Sequence, residues 1–475
     1  MMTGMTALAL GEKLKRKEIG VEEAVEAVFK EIEKREPRLN CFITLDRERA
    51  LEDAGEKQKA ILQGAETGPF FGVPIAVKDN LCTRGLRTTC GSRMLRDFVP
   101  AYDAEVIRRI RQAGMILVGK TNMDEFAMGN TTESSYFGPA RNPGGEERSC
   151  GGSSGGSAGA VASGECFCAL GSDTGGSVRQ PAAHCGVVGI KPTYGTVSRY
   201  GLIAYASSMD QVGTLTKDVA DGAALLEVIG GRDPKDATSV ERGPLDFRKA
   251  LGQGAKGLRV GILKDALDAG LQREVEAAVL RTAGELEAAG ARLGELSLGI
   301  TEYAVPAYYT IACGEASSNL ERYDGMKYGF RAQAKDLRST YGETRSQGFG
   351  AEVKRRIMLG TYVLSEGFYD AYYLRALKVR RLIRDACVKA FEDYDVLLGP
   401  VAPTTAPRLG GGGENVTAGY LADKYTVPAN LAGLPAMSLP CGTDGQGLPV
   451  GIQLTGNLFR EDLMFRAAGA LEKWR

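Results

Sequence analysis

Two glycine- and serine-rich segments stand close together in the chain and carry several hydroxyl groups. The first covers residues 151–158 and reads Gly-Gly-Ser-Ser-Gly-Gly-Ser-Ala, with Ser153 as its third residue. The second covers residues 171–177 and reads Gly-Ser-Asp-Thr-Gly-Gly-Ser, ending at Ser177. A serine attacks a carbonyl carbon when a base takes its proton and backbone N–H groups hold the developing oxyanion. The pattern therefore predicts a nucleophilic serine in a glycine-rich turn.

Ser177 is the better placed of these serines because it precedes a short predicted helix at 178–183, where backbone N–H groups lack intrahelical partners. We predict that the oxyanion hole is formed by the backbone of Thr174, Gly175, Gly176 and Ser177. Two other interpretations compete with this one. A flexible linker does not explain an ordered Asp-Thr-Gly-Gly-Ser after a predicted strand. A phosphate-binding loop would need a Gly-Lys-Ser/Thr ending, which is missing.

The base for this serine is not the obvious one. The chain has a single histidine, His184, seven residues after Ser177 on the same short helix. No carboxylate is placed to orient it, so a packing role is the favoured interpretation. Lys78 ends an apolar run at 73–77, where burial would lower its pKa from the usual value of about 10.4. An ordinary ion-paired lysine remains the alternative from these residues alone.

The elements around these residues alternate between strand-like and helix-like patterns, which is typical of an α/β protein. We predict a single large mixed or mostly parallel β-sheet flanked by helices. An amphipathic helix at 21–32 is expected to end before Pro37. One domain is predicted over residues 1–475, with an N-terminal helical region at 1–60, a segment carrying the chemistry at 61–220 and the remainder at 221–475.

The composition narrows the function classes. Lysine plus arginine and aspartate plus glutamate both number 59, so no global basic excess favours nucleic acid. Ten cysteines without paired spacing indicate reduced thiols, and Cys166 and Cys168 are interpreted as buried strand residues, with no metal site predicted. The chain has no run of 18 apolar residues, and its start lacks the charge order of a signal peptide. We therefore expect a cytoplasmic protein that does not enter a membrane.

The two serine-rich segments and the run Gly-Val-Pro-Ile-Ala-Val-Lys78 together resemble the amidase signature family, over nearly the whole chain. The resemblance implies the amidase-signature fold and a Ser–cis-Ser–Lys triad. Ser177 would be the nucleophile, Ser153 the bridging serine on a cis peptide bond, and Lys78 the base. No cofactor is expected in this chain.

Within that family, segments at 308–329, 352–357 and 420–435 are most similar to glutamine-hydrolysing subunits of tRNA-dependent amidotransferases. The resemblance implies that glutamine is hydrolysed and that its ammonia passes to a partner protein. There, ATP and Mg²⁺ would support amidation of glutamyl-tRNA, with aspartyl-tRNA an open alternative. The expected partners are the B and C subunits of a heterotrimer, and tRNA would be contacted mainly through them.

The same resemblance implies a pocket for the two charges of free glutamine. Arg356 would hold the α-carboxylate, Asp423 the α-ammonium, and Tyr308 and Gly129 would complete the substrate site. Asn130 departs from the serine that is more usual there. A solvated surface charge at Arg356 and a helix cap at Asp423 are the alternatives from the residues themselves. Two rival functions stay open, a stand-alone amidase of small amides and a non-catalytic binding subunit.

Overall fold

The computed structural model describes residues 2–411 and 416–472, and the strands in these ranges are short and mostly buried. They are β1 Phe42–Leu45, β2 Pro74–Lys78, β3 Ile116–Thr121, β4 Arg141–Asn142, β5 Gly145–Ser149, β6 Cys168–Asp173, β7 Val188–Lys191, β8 Gln211–Thr216, β9 Arg259–Leu263, β10 Arg292–Leu296, β11 Val396–Pro400, β12 Ala436–Thr443 and β13 Pro449–Gly456.

Helices connect and cover these strands. They are α1 Ala7–Lys15, α2 Val21–Leu39, α3 Arg47–Leu62, α4 Glu105–Gln112, α5 Gly155–Ser163, α6 Arg179–Cys185, α7 Val219–Ile229, α8 Arg248–Leu251, α9 Arg273–Ala288, α10 Ala304–Asn319, α11 Leu337–Gly348, α12 Ala351–Leu364, α13 Arg375–Asp393, α14 Val416–Leu421, α15 Val427–Ala432 and α16 Glu461–Glu472. Across the described ranges, no helix combines the length and apolar character needed to cross a membrane.

Eleven of the described strands form one sheet in the order β1-β3-β2-β6-β8-β7-β12-β13-β11-β9-β10, and β4 and β5 form a separate hairpin. The predicted mixed sheet flanked by helices is confirmed. The mostly parallel form of that prediction is corrected, because antiparallel pairings outnumber the parallel ones. The parallel pairings join β2 to β3 and β6, and β9 to β10 and β11. One reason is that β12 and β13 are joined by a short turn, which only antiparallel neighbours allow.

Helix α2 runs through the proline that was expected to lie beyond its end. Pro37 sits in the last turn, and the helix ends after Leu39, where Asn40 adopts a left-handed φ of 54°. A proline this close to the C-terminal end removes one helical hydrogen bond and leaves the remaining turns intact. The N–H groups of Cys41 and Phe42 beyond it are bound by the carboxylate of Glu36, which stabilises the helix end.

The sheet brings the proposed catalytic residues together at the carboxyl ends of its parallel strands. Strands β2 and β6 are parallel neighbours, so Lys78 at the end of β2 and Asp173 at the end of β6 lie at the same edge. Helix α5 starts within the first serine-rich segment, at Gly155, and α6 starts at Arg179, just after the second segment. The sheet draws strands from all three segments, 1–60, 61–220 and 221–475, while their union as one domain stays a prediction.

Candidate active site

Lys78 lies at the buried end of β2 and is surrounded by hydroxyl groups. Its side chain is fully buried, and Nζ lies 2.7 Å from Ser153 Oγ, 2.9 Å from Ser154 Oγ and 3.0 Å from Ser172 Oγ. It makes no ion pair with any residue in the described ranges. The alternative of an ordinary ion-paired lysine therefore does not describe this side chain.

This environment changes the charge of the amine. Burial lowers the pKa of Lys78 from 10.5 to about 7, although nearby acidic groups, among them Asp124 and Asp173, favour the charged form. A neutral amine with this pKa can accept a proton near neutral pH, which an ordinary lysine cannot do. The amine of Lys78 is therefore partly neutral at neutral pH, as the proposed role of general base requires.

The Gly152–Ser153 peptide bond is cis, as the family resemblance implied. A Cβ atom at Gly152 would overlap Asp124 Oδ2, so only glycine leaves room for this backbone against that carboxylate. The next amide links the two serine-rich segments, since the Ser154 N–H donates to the Ser177 carbonyl at 3.1 Å. The backbone therefore holds Ser153 and Ser177 in adjacent turns.

Ser177 lies just before α6, and its residue is 8 % exposed, so its side chain is the most accessible of the three proposed triad members. Its hydroxyl makes no hydrogen bond within residues 2–411 and 416–472. The Lys78–Ser153 half of a proton relay is therefore formed, whereas the Ser153–Ser177 half is not closed in this structure. Catalytic hydrogen bonds often tighten only when substrate binds.

The predicted oxyanion loop contains three backbone N–H groups that have no hydrogen-bond partner in the described chain, those of Thr174, Gly175 and Ser177. The fourth, Gly176, differs because its N–H donates to Asp173 Oδ1 at 2.8 Å. The loop thus offers three free donors, and Gly176 fixes the turn. Gly176 has a φ of +134°, a conformation that other residues rarely adopt. A Cβ atom there would also overlap the Thr426 side chain, so both the backbone conformation and the space require glycine.

Asp173 anchors this loop through a buried ion pair. Its carboxylate receives Nε and a terminal nitrogen of Arg179, both at 3.0 Å, and the Asn430 amide at 2.8 Å. Burial opposes the negative charge, but the Arg179 guanidinium outweighs it and holds the pKa of Asp173 well below its usual range. Arg179 also donates to Gln453 Oε1 at 2.6 Å. This pair was not among the predicted site residues.

Arg356 is buried, which argues against the alternative of a solvated surface charge. Its residue is 3 % exposed, and its guanidinium lies over the rings of three tyrosines at 5.1–5.5 Å, those of Tyr205, Tyr309 and Tyr420. Nε donates to Glu352 Oε1 at 2.8 Å, and one terminal nitrogen donates to Tyr205 Oη at 2.5 Å. The remaining donors stay available for a planar anion such as a carboxylate.

Asp423 is half-buried and contacts one of these tyrosines, Tyr309. Its oxygens accept from Asn130 Nδ2 at 3.1 Å and from Tyr309 Oη at 2.7 Å, so its side chain does not cap a helix. Burial raises the pKa of Asp423 to about 6, against the hydrogen bonds from Tyr309 and Asn130. The carboxylate is ionised at neutral pH and can bind an ammonium group. Asn130, the departure from the family pattern, thus acts on the residue proposed for that role.

The other two proposed substrate residues line this region through close backbone approaches. A Cβ atom at Gly175 would lie 2.6 Å from the Tyr308 hydroxyl, so Tyr308 covers the oxyanion loop. Gly129 packs its backbone onto the Asp124 carboxylate. The neighbouring Tyr309, which stacks on Tyr420 with ring centroids 4.1 Å apart, was not predicted to contact substrate residues. Its position next to Tyr308 in the sequence was the one signal that could have indicated this contact.

His184 is buried, and burial lowers its pKa to about 4. Neither ring nitrogen has a hydrogen-bond partner in the described part of the chain, and neither reaches a triad serine. The geometry supports the packing interpretation.

Known proteins that resemble this chain belong to one family. The family model described as Amidase matches residues 23–465. The A subunit of a glutamyl-tRNA(Gln) amidotransferase from Lachnospira eligens is 56 % identical over 471 residues, covering 99 % of this chain and 98 % of that protein. The corresponding protein from Moorella thermoacetica is 56 % identical over 469 residues, covering 99 % and 96 %.

Solved structures give the same result. The crystal structure of the glutamyl-tRNA(Gln) amidotransferase A subunit from Thermotoga maritima superposes with a TM-score of 0.83 at 41 % identity, covering 100 % of this chain and 95 % of that one. A 6-aminohexanoate cyclic dimer hydrolase superposes with a TM-score of 0.86 at 28 % identity, covering 99 % and 97 %. Family model, relatives and fold agree, and the chain belongs to the amidase family.

Proposed function

We propose that this chain is the glutaminase component of a tRNA-dependent amidotransferase, acting through Lys78, Ser153 and Ser177. The observation that supports glutamine as the substrate is that Arg356, which is also ion-paired with Glu352, and Asp423 both contact the same tyrosine, Tyr309. Free glutamine has an α-carboxylate and an α-ammonium, and Arg356 and Asp423 match them in sign. The names of the relatives support the same activity.

The proposed reaction begins when Ser177 Oγ attacks the side-chain amide carbon of glutamine. Its proton passes to Ser153 Oγ while Ser153 gives its own proton to neutral Lys78. The N–H groups of Thr174, Gly175 and Ser177 hold the oxyanion, and each such donor contributes about 3–4 kcal/mol of transition-state stabilisation. The relay then returns the proton to the leaving nitrogen, ammonia departs, and water hydrolyses the γ-glutamyl ester.

The ammonia would be used by a partner. We propose a heterotrimer with B and C subunits, in which ATP and Mg²⁺ bind at the partner that amidates glutamyl-tRNA. The tRNA would be held mainly by the partners, since this chain has no net positive charge. A cytoplasmic location fits a role in protein biosynthesis. The present chain would need no cofactor of its own for the glutaminase step.

Substrate analogues that lack one charge test the pocket. Asp423→Asn should lower kcat/KM for glutamine about 10- to 1000-fold, because it removes the anion that faces the ammonium. The same variant should process 4-carbamoylbutanoate, which has no amine, as well as the wild type does. Arg356→Lys, which loses the planar fork, should show the reverse selectivity and spare 4-aminobutanamide, which has no carboxylate.

Equal losses on all three substrates would contradict these roles, and so would unchanged kinetics with glutamine. A stand-alone amidase that does not recognise the two charges would accept the analogues as readily as glutamine in the wild-type protein.

A reconstitution experiment tests the assembly. The purified chain should co-purify with B- and C-type subunits, and the complex should convert glutamyl-tRNA to glutaminyl-tRNA only when glutamine and ATP are both present. Free ammonia should replace glutamine and should also rescue a complex that carries Ser177→Ala. Conversion that persists without this chain when glutamine is the only nitrogen donor would contradict the proposed role. Aspartyl-tRNA in the same assay decides the second acceptor.

A further inference from the structure

A cavity of about 340 Å³ lies at the carboxyl end of β9, away from the triad. Leu263, the last residue of β9, lines it together with Asp265 and Ala266 of the 3₁₀ turn that follows. Leu397 of β11 and Cys387 of α13 form another part of the wall. The volume is within the range of small-molecule sites in proteins.

The chain topology explains why a crevice opens there. From β9 the chain passes through α9 to β10 on one side, and it later returns to β11 on the other side of β9. In α/β sheets, ligands bind beyond the carboxyl ends of strands at such a reversal of strand order.

The packing places the two connections on opposite faces of the sheet. Ile262 belongs to the hydrophobic cluster that contains Leu286 of α9. The next residue, Leu263, packs on the cluster that contains Leu397 and Ile383 of α13. Because successive strand residues point to opposite faces, α9 and α13 cover opposite sides of β9. The cavity lies on the α13 side of this reversal point.

The lining combines an apolar body with unpaired negative charge. Leu263, Val305, Leu397 and Leu434 supply apolar surface. Asp265 Oδ2 accepts from the N–H of Leu298 at 3.1 Å and from the Thr301 hydroxyl at 3.1 Å. Its other oxygen, Oδ1, is shielded from solvent and has no hydrogen-bond donor among the residues that the structure describes. A buried carboxylate oxygen without a donor is costly, so a positive charge at the Asp265 wall of the cavity would be favoured.

The other charges at the cavity strengthen this preference. Lys424 is engaged by Asp268, with Nζ 2.6 Å from Oδ2. Glu302, which also lines the cavity, forms no ion pair in the described chain. Asp265 and Glu302 therefore leave the lining negative, and an anionic ligand is disfavoured.

We propose that this cavity binds a small molecule with an apolar body and a protonated amine, with the amine at the Asp265 wall. The site is distinct from the glutamine pocket and does not depend on the proposed function. Tyr425 and Gln453 line the cavity. Thr426, the residue after Tyr425, donates to the Gly175 carbonyl of the catalytic loop. Gln453 accepts from Arg179, which anchors the same loop through Asp173. This part of the cavity wall therefore lies one layer of side chains behind that loop.

The test measures binding of phenethylamine, used as the probe, to the full chain. Calorimetry and NMR line broadening of the ligand both report the binding. Saturable binding is expected, at least 10-fold weaker for 2-phenylethanol, which has the same body and no charge. Asp265→Asn keeps the acceptor for Leu298 and should weaken amine binding by at least 10-fold. Ala266→Trp, which fills the cavity, should abolish it, while Ser177→Ala should bind phenethylamine like the wild type.

Three outcomes would overturn the proposal. These are equal binding of the amine and the alcohol, undiminished binding by folded Ala266→Trp, and competition between phenethylamine and glutamine for one site in Ser177→Ala. If Asp265→Asn fails to fold, the alcohol comparison and Ala266→Trp still decide the matter. Absence of saturable phenethylamine binding to the wild type would also refute it.

Discussion

Ser177→Ala is expected to lower kcat/KM for glutamine by a factor on the order of 10⁴ to 10⁶ and to leave the fold unchanged. The variant removes the only protein atom that forms a covalent bond to the substrate carbon in the proposed reaction. Because the hydroxyl makes no hydrogen bond in the described structure, its loss leaves no buried partner unsatisfied. Ammonia release from glutamine, followed by a coupled assay, measures the effect, and circular dichroism checks the fold.

Ser163→Ala is a matched control for this experiment. Ser163 is another buried serine of the same region, but its hydroxyl bonds to Glu165 Oε2 at 2.7 Å and not to the triad. Its removal should cost about 1 kcal/mol of stability and leave kcat unchanged. An acyl or phosphonate probe should label the wild type and Ser163→Ala but not Ser177→Ala. Glutaminase activity of a pure Ser177→Ala sample at the wild-type level would refute the assignment.

Lys78→Met should lower kcat for glutamine by about 10²- to 10⁴-fold, the usual contribution of a general base. Methionine fills a similar volume but cannot accept a proton. In the wild type, kcat/KM should fall as the pH drops through about 7, because protonation of Lys78 then removes the base. The residual activity of Lys78→Met should lack this acidic limb. A pH series on both proteins measures the difference.

The stability of Lys78→Met follows from the same lowered pKa. Between pH 7 and about 10.4 the unfolded chain binds the Lys78 proton and the folded chain does not, so the contribution of this amine to stability rises with pH. Below pH 7 its burial is at its most costly. Lys78→Met should therefore fold well and should gain stability mainly at neutral and acidic pH.

Lys191→Met supplies the control for these effects. Burial also lowers the pKa of Lys191 to about 7, but its amine donates to backbone carbonyls, 2.9 Å from Pro192 O, and not to the triad serines. Folded Lys191→Met should keep the acidic limb of the activity profile. If Lys78→Met retains wild-type kcat, or if Lys191→Met alone loses the limb, Lys78 is not the base.

Two residues of the proposed catalytic centre could be predicted from local sequence, whereas Ser153 came from the family resemblance. Lys78 follows a buried apolar run, and Ser177 lies between a strand and a helix, so pattern and position agree in each case. The single histidine could be set aside because of its spacing from Ser177. Each of these predictions depends on neighbours within about ten residues along the chain, and the ion-paired alternative for Lys78 could be set aside only once the structure placed its amine among serine hydroxyls.

The substrate pocket could not be predicted in this way. Arg356 stands in a run of three basic residues, which locally indicates a solvated face, yet it is 3 % exposed. The tyrosines that cover it come from three distant parts of the chain, Tyr205, Tyr309 and Tyr420. Only tertiary packing brings these rings together. The N–H of Gly176 is a different case, because the Asp173 carboxylate that accepts from it lies only three residues earlier.

Local sequence patterns also did not predict which strands pair parallel and which antiparallel. Alternating strands and helices favour parallel pairing, and β2, β3 and β6 follow that rule. The strands β7, β8, β12 and β13 instead pair antiparallel because their connections differ from a βαβ crossover. These strands form the middle of the sheet, between β2 and β6, which carry Lys78 and Asp173, and β9.

The ion pair of Asp173 and Arg179 also limits how far this enzyme can be reduced in size. Arg179 donates to Asn430 and Gln453, far downstream in the chain, and Thr426 donates to the Gly175 carbonyl. A fragment restricted to residues 61–220 would contain the whole triad and still lack three of the contacts that shape its turn. Minimal versions of this catalyst, or split halves intended to reassemble, must therefore retain the stretch around 426–453.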